Sequence, residues 1–171
     1  GAMQDINDRQ TRTRSAAYPF EIAYRLINMY SAKGDIVLDP FLGTGTTIFA
    51  AMTSGRNSIG YEIDTALRDS INMAFDKIIS ISNKHIKNRL LKHIQFVKKR
   101  IKEKGGLKYI NNFYGFPVMT RQEQDLIINE LTAINEIGKD IFEVNYNQKP
   151  QEAFCKDWAT EFKQYNIDEI S

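Results

Sequence analysis

The stretch Val37-Leu38-Asp39-Pro40-Phe41-Leu42-Gly43-Thr44-Gly45-Thr46-Thr47 limits the possible folds more than any other part of the chain. A short aliphatic run ending in an acid, followed by two glycines and a run of small residues, reads as strand, tight turn and helix. At the carboxyl edge of a parallel sheet such a turn faces the crevice where α/β folds bind ligands. Gly43 and Gly45 then let a ligand reach backbone that a Cβ would screen. The helix behind offers free N–H groups that favour a phosphate or a carboxylate. No Lys follows the last glycine, so the turn is not a P-loop, and the third glycine of the dinucleotide fingerprint is missing.

A second strand is predicted over Asn57–Ile63, ending in Gly60-Tyr61-Glu62-Ile63-Asp64. Glu62 follows Asp39 by 23 residues, about where an acid can accept from both hydroxyls of a ribose. A turn for an amino-acid carboxylate beside an acid for a ribose describes S-adenosylmethionine better than a dinucleotide with its pyrophosphate.

The flanking pattern supports an α/β order. Ile22, Ala23, Leu26, Ile27 and Tyr30 recur at helical spacing after Pro19, with Gly34 as the stop. Strand Asp35–Asp39, helix Thr46–Ser54 and the second strand follow. A long helical region begins at Thr65, with a break expected at Ser80–Asn83 and an end at Gly105-Gly106. The aromatic segment LKYINNFYGFPVM reads as irregular. The box Thr120-Arg121-Gln122-Glu123 predicts a helix reaching about Ile137, Lys139–Tyr146 alternates like a strand, and Gln151–Tyr165 reads as a short last helix. The expected organisation is a flexible lead-in over 1–17, a cofactor-binding core over 18–64, and a helical and strand extension over 65–171 completing the same domain.

From Arg14 to Asp64 the chain resembles the S-adenosylmethionine-binding part of the DNA amino-methyltransferases, which methylate adenine N6 or cytosine N4. DPFLGTGTT is similar to their methionine-binding motif, GYEID to their ribose-binding motif, and the helix from Tyr18 to the flanking motif over the methionine end. The resemblance implies a partial Rossmann-like methyltransferase domain with a mainly parallel sheet and a helical C-terminal extension. It implies that Asp39, Pro40, Phe41, Gly43 and Gly45 form the cofactor turn, that Thr46 and Thr47 bond the methionine carboxylate, that Glu62 holds the ribose, that Ile63 packs on adenine, and that Tyr18 lies at the flanking motif. The implied partner is double-stranded DNA, in the setting of restriction-modification.

Enzymes of this kind also need a DPPY-type motif, whose polar residue and backbone carbonyl hold the target amino group while an aromatic ring stacks on the flipped base. Pro19, Pro40, Pro117 and Pro150 are the only prolines and none are adjacent, so no catalytic residue is assigned. In the permuted order of many such enzymes, the catalytic half precedes the cofactor motif. The chain then resembles the cofactor half of a permuted or split enzyme whose second segment or subunit carries that motif. A non-catalytic scaffold that keeps the fold, and part of an RNA methyltransferase, remain the alternative readings.

The net charge of +2 is too small to argue for nucleic acid, but its distribution is uneven. Residues 66–104 hold eleven Lys and Arg against three acids, while residues 120–171 hold eleven acids against five Lys and Arg. A solvated helix face is the commoner use of such a basic run, and phosphate contact the other. The single Cys155 and the lack of metal-ligand spacing suit a reducing, cytoplasmic setting without a metal, and no apolar run is long enough for a membrane span. His85 and His93 read as surface histidines, Trp158 as core, and Tyr109, Phe113, Tyr114 and Phe116 as a buried loop plug or subunit contact, the less common use being a base-stacking surface.

Overall fold

A computed structural model describes residues 18–158 and 160–162. The lead-in over 1–17 and the end of the last expected helix lie outside them. In chain order the elements are α1 (Phe20–Tyr30), β1 (Ile36–Asp39), α2 (Thr46–Thr53), β2 (Asn57–Gly60), α3 (Ala66–Lys104), β3 (Tyr109–Ile110), β4 (Pro117–Val118), β5 (Leu131–Gly138) and β6 (Ile141–Tyr146). Single 3-10 turns stand at Arg121–Glu123 and Glu152–Phe154. The chain divides into two compact units, one formed by residues up to 84 with 130–146, the other by 85–129 with the residues from 147 onward.

In the first unit, β1 and β2 run parallel with Ile36 opposite Asn57 and Asp39 opposite Gly60. The helix α1 buries Phe20, Ala23, Tyr24 and Ile27 and packs on α2, whose small residues Ala50 and Ala51 are wholly buried. This close approach is what the small-residue run in α2 provides. Phe75 of α3 lies edge-on to Phe49 of α2 and stacks on Phe142 of β6, with ring centroids 5.5 and 4.0 Å apart. Tyr146 closes the hairpin onto α2 by donating its hydroxyl to the Met52 carbonyl at 2.8 Å, and burial pushes its pKa up to about 12.

Two expectations are corrected here. The helix α3 runs unbroken through Ser80–Asn83. Its polar residues find partners beyond the helix rather than competing for its backbone: Ser82 shares a 2.7 Å hydroxyl bond with Thr53, and Asn83 exchanges two 2.9 Å bonds with the backbone of Leu131. The helix expected to reach Ile137 is absent. Thr120 does engage Glu123, donating its N–H and its hydroxyl to the Glu123 carboxylate, but only one 3-10 turn follows. Residues 131–138 instead pair antiparallel with β6, so a long-range ladder overrides local helix preference. Among the described residues the parallel pair is one of three two-stranded sheets, and the other two are antiparallel. The extension beyond α3 is therefore largely strand and loop.

The second unit is built on Ile86, Leu90, Ile94, Val97 and Ile101 of α3, with Tyr114, Phe116, Val118, Phe154, Trp158 and Phe162 buried as well. Tyr114 and Phe116 belong to its core, as does Trp158. The polar centre is the buried Asn111, which donates to the carbonyls of Glu123 and Leu126 and accepts from the amides of Phe113 and Tyr114, using its full fork. His93 is not a surface histidine. It is half-buried against Phe116, its Nε2–H donates to the Pro117 carbonyl at 2.9 Å, and burial lowers its pKa.

Candidate cofactor site

The parallel ladder fixes the site. Beyond the last paired residues the strands stay joined, since Tyr61 N–H donates to the Asp39 carbonyl at 2.9 Å and Leu42 N–H to the Tyr61 carbonyl at 2.8 Å. The turn after β1 and the segment after β2 are thereby held side by side, with no strand between them. The Asp39 carboxylate accepts from the Phe41 amide at 3.0 Å and so shapes the start of the turn. Gly43 and Gly45 both adopt left-handed backbone, φ +57° and +83°, which a side chain would strain. Gly45 begins α2 and no side chain caps that helix, so its first-turn amides face the turn without a side-chain partner.

Glu62 crosses from one strand end to the other. One carboxylate oxygen accepts from the Gly43 amide at 2.7 Å and the other from the Asp64 amide at 2.8 Å. Each carboxylate oxygen can accept a second bond, so two acceptor sites are left on this half-buried group. The Tyr18 hydroxyl bonds the Thr47 hydroxyl, drawing the chain before α1 onto the first turn of α2, next to Thr46. Phe41 and Ile63 are 88% and 97% exposed, leaving apolar surface bare beside the turn, and Pro40 is exposed with them.

The structure thus brings Tyr18 to Thr47 and Glu62 to Gly43. Two positions were missed by sequence reasoning. Gly60 carries the turn's packing: a Cβ there would sit 2.8 Å from both methyl carbons of Leu42, so its missing side chain makes room for Leu42. Asp64 accepts from the Ala66 amide at 3.0 Å and starts α3 while its own amide holds Glu62. Glycine at the end of a strand, and Asp two residues before a helix, were the signals available.

The family model described as DNA methylase, N6_N4_Mtase, matches residues 3–74, which span α1, the glycine turn and the Glu62 strand end. This part of the chain belongs to the DNA amino-methyltransferase family. The chain is 48% identical over 148 residues to the Type II methyltransferase M.MthZI of Methanothermobacter thermautotrophicus, an alignment covering 86% of this chain and 40% of that relative. It is 51% identical over 85 residues to M.MjaI of Methanocaldococcus jannaschii, covering 47% and 27%, and 30% identical over 122 residues to M.BglI of Bacillus subtilis, covering 71% and 30%. The chain therefore spans 40% or less of the length of these methyltransferases. No solved structure matches it.

Proposed function

We propose that this chain supplies the S-adenosylmethionine site of a DNA amino-methyltransferase acting on adenine N6 or cytosine N4 in duplex DNA, as a partial Rossmann-like domain. The DPPY-type catalytic motif comes from polypeptide outside it. The observation that carries this reading is the Glu62 bridge to Gly43, which sets an acid with two unused acceptor sites beside an uncapped helix start. The residues fit the cofactor. Gly43 and Gly45 leave the turn open where a Cβ would fill it, and the α2 amides with the hydroxyls of Thr46 and Thr47 suit the methionine carboxylate. Glu62 accepts from the ribose hydroxyls, and exposed Ile63 gains burial against adenine. Asp39 and Phe41 shape the turn, and Tyr18 holds Thr47.

When bound, S-adenosylmethionine supplies an electrophilic sulfonium methyl group for direct transfer to nitrogen. The chain's own residues then hold the donor at one end and the adenosine at the other, which is alignment rather than covalent catalysis and needs no nucleophile. Transfer of labelled methyl to duplex DNA tests the reading. The chain alone should give none. The chain joined to the remainder of M.MthZI should give transfer that Asp39→Ala diminishes, and robust transfer by the purified chain alone would refute the division of labour.

A further inference from the structure

The charge on α3 is concentrated in its second half. Residues 85–102 hold seven of the eleven Lys and Arg found over 66–104 and no acid, whereas 66–84 set three cations against two acids. Asn88, Lys92, Gln95, Lys99 and Lys102 follow one another at steps of four, three, four and three residues, so they share one face of the helix. All five are exposed, and each can donate a hydrogen bond. The row lies opposite Ile86, Leu90, Ile94, Val97 and Ile101, which are buried in the second unit and hold the helix in place. A helix face that meets only water gains from Glu placed four residues before Lys and loses where like charges are neighbours. No such Glu or Asp occurs over 85–102. Glu103 approaches Lys99 and Glu161 approaches Lys98, each at 3.7 Å with both partners partly exposed, a kind of pair that contributes little.

We propose that the row from Asn88 to Lys102 binds the sugar-phosphate backbone of duplex DNA without regard to sequence; this rests on the reading of the chain as part of a DNA methyltransferase. The row runs about 21 Å along the helix axis. A duplex carries one negative charge per about 1.7 Å, so a face of that length meets about a dozen phosphate charges. Lysines supply the counter-charge, and Asn88 and Gln95 between them donate to phosphate oxygens. An anionic lipid surface fits less well, because a helix enters it through an apolar face and the aliphatic row of this one is buried. Contacts of this kind set where the substrate lies and leave the reading of bases to other groups.

The test follows binding of the whole chain to a short fluorescein-labelled duplex by anisotropy, between about 50 and 200 mM KCl. Wild type is compared with Lys92→Gln/Lys99→Gln/Lys102→Gln and with a control triple, Lys77→Gln/Lys139→Gln/Lys149→Gln, which removes the same charge from other exposed positions. The first triple should bind about tenfold or more weakly at low salt, and its plot of log affinity against log salt should be shallower by about two to three. The control triple should change that slope by less than about one. Should the first triple fail to fold, Asn88→Glu with Gln95→Glu places the opposite charge in the row and should weaken binding likewise. Equal effects of the two triples, or no binding by wild type at low salt, overturn the proposal. Tighter binding to duplex RNA with the same loss assigns the face to RNA instead, and an unchanged slope with lost co-sedimentation with the remainder of M.MthZI assigns it to a protein contact. Titration of S-adenosylmethionine into the same variants joined to that remainder separates the two readings. A changed slope without cofactor binding keeps the DNA face and removes the cofactor role, and cofactor binding with an unchanged slope does the reverse.

Discussion

The Gly43 amide donates to Glu62 Oε2 at 2.7 Å, tying the glycine turn after β1 to the acid after β2. The acid therefore organises the turn as well as facing the proposed ligand. Sequence position alone suggests a group at the mouth of a cleft with little effect on stability, but two backbone amides depend on it. Glu62→Ala should lower unfolding stability by about 1–2 kcal/mol, since charge-assisted bonds at a half-buried site are lost. Glu62→Gln, which keeps one acceptor, should fall between. Denaturant melts measure this, and an unchanged midpoint for Glu62→Ala would show that the bridge contributes nothing.

Gly60→Ala should destabilise the first unit by roughly 1–3 kcal/mol, the usual range for overpacking. The clash is with the Leu42 methyl groups alone among the nearest atoms, so Leu42→Ala should recover part of the loss in the double variant. Additive effects of the two substitutions would mean that the contact is not what excludes a side chain at position 60.

Asn111→Ala should cost about 3 kcal/mol or more, because four hydrogen bonds made by a residue only 2% exposed lose their partner together. Proteolysis of the 105–129 segment reports it most directly. A variant as resistant as wild type would show that the loop is held by its aromatic core alone.

The His93 ring makes the second unit acid-sensitive. Burial, the largest influence, lowers its pKa from 6.5; the Pro117 carbonyl and Glu123 raise it and Arg89 lowers it, and the balance stays below the ordinary value. The unfolded chain thus takes up this proton at higher pH than the folded one. The stability involved is fully present above about pH 6.5 and is lost as pH falls through the lower folded value. His93→Gln should flatten that part of the stability curve, and matching slopes for variant and wild type below pH 6.5 would remove the role.

The backbone geometry of the candidate site was more legible than the rest of the fold, for a physical reason. Asp39, Gly43, Gly45 and Glu62 are fixed by local signals, a strand that must end and glycines that must adopt positive φ, and parallel pairing then places them side by side. Ser82 and Asn83 could not be read as helix because what tolerates them lies in Thr53 and Leu131, far along the chain. The strand β5 was likewise hidden. LTAINEIG carries no local mark against helix, and its pairing with IFEVNY decides the outcome. His93 misled because flanking lysines suggest solvent, while its aromatic neighbour comes from a loop some twenty residues on.

The most direct measurement is calorimetric titration of S-adenosylmethionine into the chain completed by the remainder of M.MthZI, comparing wild type with Glu62→Ala under conditions where both are folded. Loss of an acceptor for two ribose hydroxyls should weaken binding roughly ten- to a hundredfold, the equivalent of about 1.5–3 kcal/mol. Equal affinity for the two proteins would contradict the ribose role of Glu62, and with it the assignment of this turn as the cofactor site.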